Sequence, residues 1–264
     1  MKIHHLNCGS LKPPFPDVQS IVYCLLVETS QGLVLVDTGF GTRDYNNPSR
    51  KMNFFLNWMS VPRNLEETAI FQVQALGYKP KDVKYIIQTH LHIDHAGGLA
   101  DFPWAEVYVH ATEFQAIQNP KGFMKFSYIQ YHWDHQPRWV RHKESIVDWD
   151  GLEAIPLFQT PEYDFLFIPL HGHTRGHCGV ASGKPGSWLL HCGDAASPFY
   201  RGADLHNRDK SVQKLNILPK SLANRILGDH VPRLRKILEE HGMRLKRSAP
   251  MISSVFGNTI PCHD

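Results

Sequence analysis

Apolar side chains fall in short, dense runs along the chain. Ser20–Thr29 (S-I-V-Y-C-L-L-V-E-T) is rich in Val, Ile, Leu and Tyr and predicts a strand, as does Gly32–Val36. Gln31-Gly32 between them predicts a hairpin turn. Further strands are predicted over residues 84–89, 106–109, 152–158, 165–170 and 188–192, and a last one over 251–256. Helical spacing begins after Asn64, a good N-cap with Glu67 three residues on, and runs over 65–76 until Gly77 stops it. A second helix is predicted over 112–118. A third starts at Asp229, tolerates Pro232 in its first turn and aligns Val231, Leu234, Leu238 and His241 on one face before Gly242.

That order of strands and helices predicts two sheets covered by outer helices, an α/β layered fold. No composition shift marks a boundary, so residues 1–264 are read as one domain. Two stretches, 40–64 and 119–145, show neither a 2 nor a 3.6 period and read as irregular, aromatic-rich insertions.

Composition narrows the class. With 42% hydrophobic and 20% charged residues, the chain is neither disordered nor collagen-like. A net charge of +3 is too weak for a nucleic-acid binder. The short basic runs Arg233, Arg235, Lys236 and Arg244, Lys246, Arg247 read as a solvated helix face. No apolar run reaches the ~18–20 residues of a membrane span, and Met1 to Pro16 holds no stretch of signal-peptide type. Five scattered cysteines without a C-x-x-C pair argue against a disulfide framework and for a reducing cytoplasm.

The unusual feature is 17 histidines. The strongest motif is Thr89-His90-Leu91-His92-Ile93-Asp94-His95-Ala96-Gly97-Gly98, placed directly after a predicted strand. Imidazole nitrogen and carboxylate oxygen are the ligands zinc takes outside thiolate sites, and a turning backbone can aim several of them at one centre. His171-Gly172-His173-Thr174-Arg175-Gly176-His177, Gly193-Asp194 and His263-Asp264 follow in order. Singly, each reads as a loop or a turn; together they supply the remaining ligands of a two-metal site.

This constellation resembles the metallo-β-lactamase-fold superfamily, from Asp37-Thr38-Gly39 through His90–Gly98 and His173–His177 to Asp194. The resemblance implies an αββα sandwich with a dinuclear metal site at the sheet edges. It implies His90, His92 and His173 on one metal, Asp94, His95 and a late histidine on the other, and Asp194 bridging both. His263, after the last predicted strand, is favoured for the late position over His230. Zinc is the expected metal, and ligand type also admits iron, manganese or cobalt. Asp37 is expected as a hydrogen-bond acceptor beside the site rather than a ligand.

Within the superfamily, His92 stands where the flavodiiron branch carries Glu, and Asp194 supplies a bridge that the main zinc β-lactamases lack. What remains resembles the N-acyl homoserine lactonase branch. Two departures stand out. Ser197 occupies the position of that branch's tyrosine, three residues after the bridging Asp, and Arg175 stands where the family often has Pro. The implied activity is hydrolysis of small esters or lactones, with Asp94 passing a proton to the leaving alkoxide. Rival readings are a phosphotriester or thioester hydrolase, an iron-dependent sulfur dioxygenase, and a low-turnover ligand sensor. The large apolar side chains of the two insertions (Phe54, Phe55, Trp58 and Met59; Phe123, Phe126, Tyr128, Tyr131, Trp133 and Trp139) are expected to line an entrance for an acyl or aryl group. Packing as satellite core or as a homodimer contact is the alternative for them.

Overall fold

The computed structural model describes residues 2–12, 14, 20–120, 123–143, 146–195 and 226–227. Two six-stranded sheets stack face to face. The first runs β1 (Ile3–Leu11), β2 (Ser20–Thr29), β3 (Gly32–Val36), β4 (Val83–Ile87), β5 (Glu106–His110) and β6 (Arg138–His142) in spatial order. Its first three strands are antiparallel and β3 to β6 are parallel. The second sheet is an antiparallel meander of β7 (Val147–Trp149), β8 (Leu152–Gln159), β9 (Asp164–Pro169), β10 (Cys178–Gly183) and β11 (Leu189–His191), closed by β12 (Ile226–Leu227) parallel to β11.

Alternation along each strand divides the side chains between layers. On β2, Val22, Cys24 and Leu26 face outward under the helices, while Leu25 and Val27 face the second sheet. On β9, Phe165 and Phe167 point into the intersheet layer, and Leu166 and Ile168 point to the other face. Both faces are apolar, so these strands read as nearly continuous hydrophobic runs.

The described helices are α1 (Thr42–Asn46), α2 (Arg50–Trp58), α3 (Ala69–Ala75), α4 (Ile93–Ala96) and α5 (Ala111–Gln118), and all five add residues to the core outside the first sheet. The expected layered α/β architecture is present. The predicted helix from Asp229 and the strand over 251–256 lie outside the described residues.

Several elements differ from their prediction. The hairpin turn is Ser30-Gln31, because Thr29 pairs with Gly32. The helix over 65–76 is two pieces. Asn64 caps a short 3-10 turn, Leu65–Glu67, and α3 restarts after Thr68. Glu67 leaves the capping role to accept from Ser10 N (2.6 Å) and Ser10 Oγ (3.0 Å). Residues 40–64 are not irregular: they hold α1 and α2, the latter capped by Ser49 accepting from Met52 N at 3.2 Å. Met52 and Leu56 are the buried pair of α2, one turn apart, while Phe54 and Trp58 face outward at 71% and 54% exposure. Those two outward aromatics hide the period. The 119–145 stretch contributes the edge strand β6. Strands β1 and β10 were not predicted; β10 (C-G-V-A-S-G) is fully buried but built of small residues that carry little strand signal.

Candidate metal centre

The motif histidines sit where β4 runs out. The chain passes through Gln88 and Thr89, and His92 opens the one-turn helix α4 in extended conformation. Its carbonyl accepts from His95 N and Ala96 N at 3.1 and 3.0 Å, which places the His95 ring one turn on. The second histidine loop connects β9 to β10, and Asp194 follows β11. Three strand ends therefore deliver their polar residues to one edge of the sandwich.

Five of the predicted residues converge. His90, His92 and His173 bring their ligand-type atoms within 4.8 Å of one another, and so do His90, His95 and Asp194. All five are buried. His173 Nε2 lies 3.0 Å from His92 Nδ1, 3.1 Å from His90 Nε2 and 3.2 Å from Asp194 Oδ2. His95 Nε2 is 3.8 Å from Asp194 Oδ1. Four-coordinate zinc with Zn–N bonds of about 2.0–2.1 Å needs ligand atoms about 3.3–3.4 Å apart. The donor set and its spacing therefore fit a divalent transition metal in each grouping. Asp94 lies in the first turn of α4, half-buried, outside both groupings. His263, His230 and Ser197 lie outside the described residues.

The surrounding hydrogen bonds select the tautomer that a metal requires. Asp37 is fully buried at the end of β3, in a left-handed conformation (φ 56°). It accepts from Thr89 N at 2.8 Å, Thr89 Oγ1 at 2.7 Å and His95 Nδ1 at 2.9 Å. Thr89 Oγ1, committed as a donor to Asp37, accepts from His90 Nδ1 at 3.0 Å. His90 and His95 thus carry their protons on Nδ1 and turn their Nε2 lone pairs toward the cluster, an arrangement that raises ligand basicity. Thr38 clamps the same turn, donating through N and Oγ1 to His95 O at 3.0 and 2.8 Å. Gly39 (φ 62°) leaves room that a side chain would deny, since a Cβ there would meet Cys8 Cβ at 2.2 Å.

Burial, followed by the neighbouring imidazoles, holds His90 and His92 well below the ordinary histidine pKa. They are neutral near pH 7, as metal ligation demands. Burial is the largest single influence and pushes the Asp37 carboxyl up, but His95, His191 and the Thr89 hydroxyl together outweigh it, and the net shift is downward.

Two further histidines hold the Asp194 turn. His177 Nδ1 donates to Leu170 O at 3.0 Å, and its Nε2 accepts from Asp194 N at 3.0 Å. His191 Nε2 donates to Tyr23 O at 2.9 Å, and its Nδ1 accepts from Gly193 N at 3.0 Å. Burial pushes the His177 ring down to about 3, so it stays an acceptor at neutral pH. His110 opens α5 and caps it, accepting from Thr112 N at 3.3 Å.

Sequence reasoning missed Glu113. This α5 carboxylate is fully buried between the two histidine loops. Asp44 was missed as well; it accepts from Gly41 N, from Tyr131 and from His132 Nε2, pinning the 119–145 segment to α1. His132 is accordingly a buried hydrogen-bond partner of Asp44. Most of the expected entrance residues pack on the first-sheet core: Phe55, Met59, Tyr128, Tyr131, Trp133 and Trp139. The Tyr128 ring lies 5.0 Å from the His92 ring, tilted by 55°. Phe54, Trp58 and Phe126 are exposed.

Comparison with known proteins agrees with this geometry. Residues 18–230 match the Metallo-beta-lactamase superfamily. The chain is 39% identical over 209 residues to a probable metallo-hydrolase of Mycobacterium tuberculosis, covering 79% of this chain and 66% of that protein, just under two thirds. It is 30% identical over 191 residues to N-acyl homoserine lactonase of Bacillus thuringiensis, covering 71% and 69% respectively. Among solved structures, an N-acyl homoserine lactone hydrolase with the product N-hexanoyl-L-homoserine at its catalytic metal center matches with TM-score 0.65. That match has 21% identity over 86% of this chain and 92% of that one; at this identity it speaks for the fold. The chain belongs to the metallo-β-lactamase superfamily. Its relatives carry the names metallo-hydrolase and N-acyl homoserine lactonase, and its own histidine-rich site offers ligand atoms to a metal. No helix among the described residues is long and apolar enough to cross a membrane.

Proposed function

We propose that the protein is a dinuclear metal-dependent hydrolase of small esters or lactones, built as one domain over residues 1–264. The observation that carries this reading is the paired grouping of His90, His92, His173 and His90, His95, Asp194 around shared atoms. His90, His92 and His173 hold one cation in this proposal. Asp94, His95 and His263 hold the second, with His230 the competitor for the last place, and Asp194 spans the two. Bound divalent cations supply Lewis-acid polarisation of a carbonyl oxygen and lower the pKa of water.

The chain's own groups supply the rest. Asp37 and Thr89 fix the proton on Nδ1 of His95 and His90, keeping both Nε2 atoms as donors of a lone pair. His177 and His191 fix the backbone of the Gly193-Asp194 turn and so the direction of its carboxylate. Asp94, half-buried in α4, would take the proton released by the attacking water and pass it to the departing alkoxide oxygen, so that the carboxylate ends ionised as it began. An acyl chain as the apolar part of the substrate is in keeping with the lactonase relatives, and Phe54, Trp58 and Phe126 offer it exposed apolar surface. Zinc is the first candidate for both positions.

Elemental analysis of protein purified without chelator, followed by a turnover screen over lactones, aryl esters, thioesters and phosphotriesters, tests the reading. Two metals per chain with lactones or esters turned over fastest is the expected result. One metal or none, not restored by added zinc or manganese, overturns the dinuclear assignment. Preference for thioesters or phosphotriesters overturns the substrate class and leaves the metal assignment standing.

A further inference from the structure

We propose that Glu113 is a positioning residue that sets the separation of the two histidine loops and thereby the fit of the His90, His92, His173 grouping for its metal. The proposal rests on the metal-site reading above. One Glu113 oxygen, Oε1, accepts from Leu91 N at 3.1 Å and Tyr128 Oη at 2.9 Å. The other, Oε2, accepts from Thr174 Oγ1 at 2.6 Å and Gly176 N at 3.2 Å. Leu91 lies between His90 and His92, and Thr174 follows His173. A single carboxylate therefore carries one loop on each oxygen.

The surroundings leave Glu113 no other work. It is fully buried, pairs with no cation among the described residues, and touches no motif imidazole through its four hydrogen bonds. Four donors stand in for the lost water, which is how a buried carboxyl is made tolerable. The loop closes tightly on α5: a Cβ at Gly176 would meet Glu113 N at 2.1 Å and Glu113 Cα at 2.6 Å. The link bears on the His92 and His173 side, because His95 and Asp194 are held separately by Asp37, His177 and His191.

Glu113→Gln distinguishes the roles of the two oxygens. An amide keeps one accepting oxygen and turns an NH₂ toward two donors, so one loop must let go whichever way it flips. Outer partners of metal ligands are typically worth 10–100-fold in metal affinity. The test is titration of the metal-stripped full chain with Co(II), read by visible absorption and by bound metal, for wild type, Glu113→Gln, Thr174→Val and Thr174→Ser. Thr174→Val keeps the shape but removes one donor to Oε2; Thr174→Ser keeps the hydroxyl. The expected result is a 10–100-fold weaker Co(II) site with an altered visible band in Glu113→Gln, and a smaller weakening in Thr174→Val. Thr174→Ser should restore the wild-type spectrum, and far-UV circular dichroism should be unchanged throughout. Wild-type affinity and spectrum in Thr174→Val overturn the inference even where Glu113→Gln fails to fold. A wild-type chain that takes up no Co(II) overturns the metal-site reading itself, and this inference with it.

Discussion

The two ligand groupings share His90 but are braced by different means. Around His95 and Asp194 the brace is direct: Asp37 grips an imidazole of the site, and two neutral histidines grip the Asp194 backbone. Around His92 and His173 the brace is indirect, because Glu113 touches only the backbone and hydroxyl groups beside them. The first kind fixes which nitrogen carries a proton; the second fixes how far apart two loops stand. Protonation state and spacing are separate requirements of a metal site, and this molecule assigns each to its own buried carboxylate.

The largest effect should come from the acidic ligand itself. In Asp194→Asn one charged oxygen near both groupings becomes an amide, which no longer offsets the repulsion of two cations. Loss of one metal and an activity drop beyond the ~100-fold upper end for outer partners are expected. Metal content and turnover of the same preparation check it; two metals with near-normal turnover would reduce Asp194 to a turn former.

Asp37→Asn should come next, at roughly 10–100-fold in metal affinity. Asn can still accept from Thr89, but its amide then faces His95 Nδ1 as a donor. That moves the His95 proton to Nε2, the nitrogen 3.8 Å from Asp194 Oδ1. The loss should fall on the His95 grouping, the reverse of Glu113→Gln, and competition between metal and a coloured chelator would measure both. Equal losses from both grouping assignments would dissolve the contrast between the braces.

A smaller, purely steric effect belongs to Gly176→Ala. The added Cβ meets backbone of α5, which cannot swing aside as a side chain can. A cost of about 1–3 kcal/mol in urea unfolding is expected, typical of overpacking a tight site. A change within experimental error would mean that the loop and α5 separate freely, and the spacing role of Glu113 would go with it.

These braces explain what could be read from the chain and what could not. His90, His92, His95, His173 and Asp194 were legible because each lies in a compact motif after an apolar run. Strands such as β2, β3 and β9 were legible because β-branched and aromatic residues fill them. Strand β10 escaped because burial there is achieved with Gly, Ala, Ser and Cys, and α2 because Phe54 and Trp58 sit on its outer face. Glu113 escaped for a different reason. A glutamate in the first turn of a helix looks like a solvated dipole partner, and only folding brings Leu91, Tyr128, Thr174 and Gly176 around it. Asp44 and His132 met in the same way, across 88 positions of chain.

The last test concerns the root of the helix that carries Glu113. His110 caps α5 through a lone pair, so the cap exists only while the ring is neutral. Burial, then the nearby His171 and Lys143, pushes its pKa down from 6.5 to about 4. A histidine whose folded pKa is lowered contributes stability that is fully present above its unfolded pKa and lost as pH falls toward the folded one. The window is therefore about pH 6.5 down to about pH 4. Asn is as good an N-cap and does not titrate there. Metal-free His110→Asn should lose less stability across that window than the wild type, by roughly 1–2 kcal/mol. Urea unfolding of both proteins at pH 7 and pH 4.5 reads the difference directly. Parallel losses in the two would show that the cap does not depend on a neutral ring, and that acid reaches the Glu113 side of the site by some route other than the start of α5.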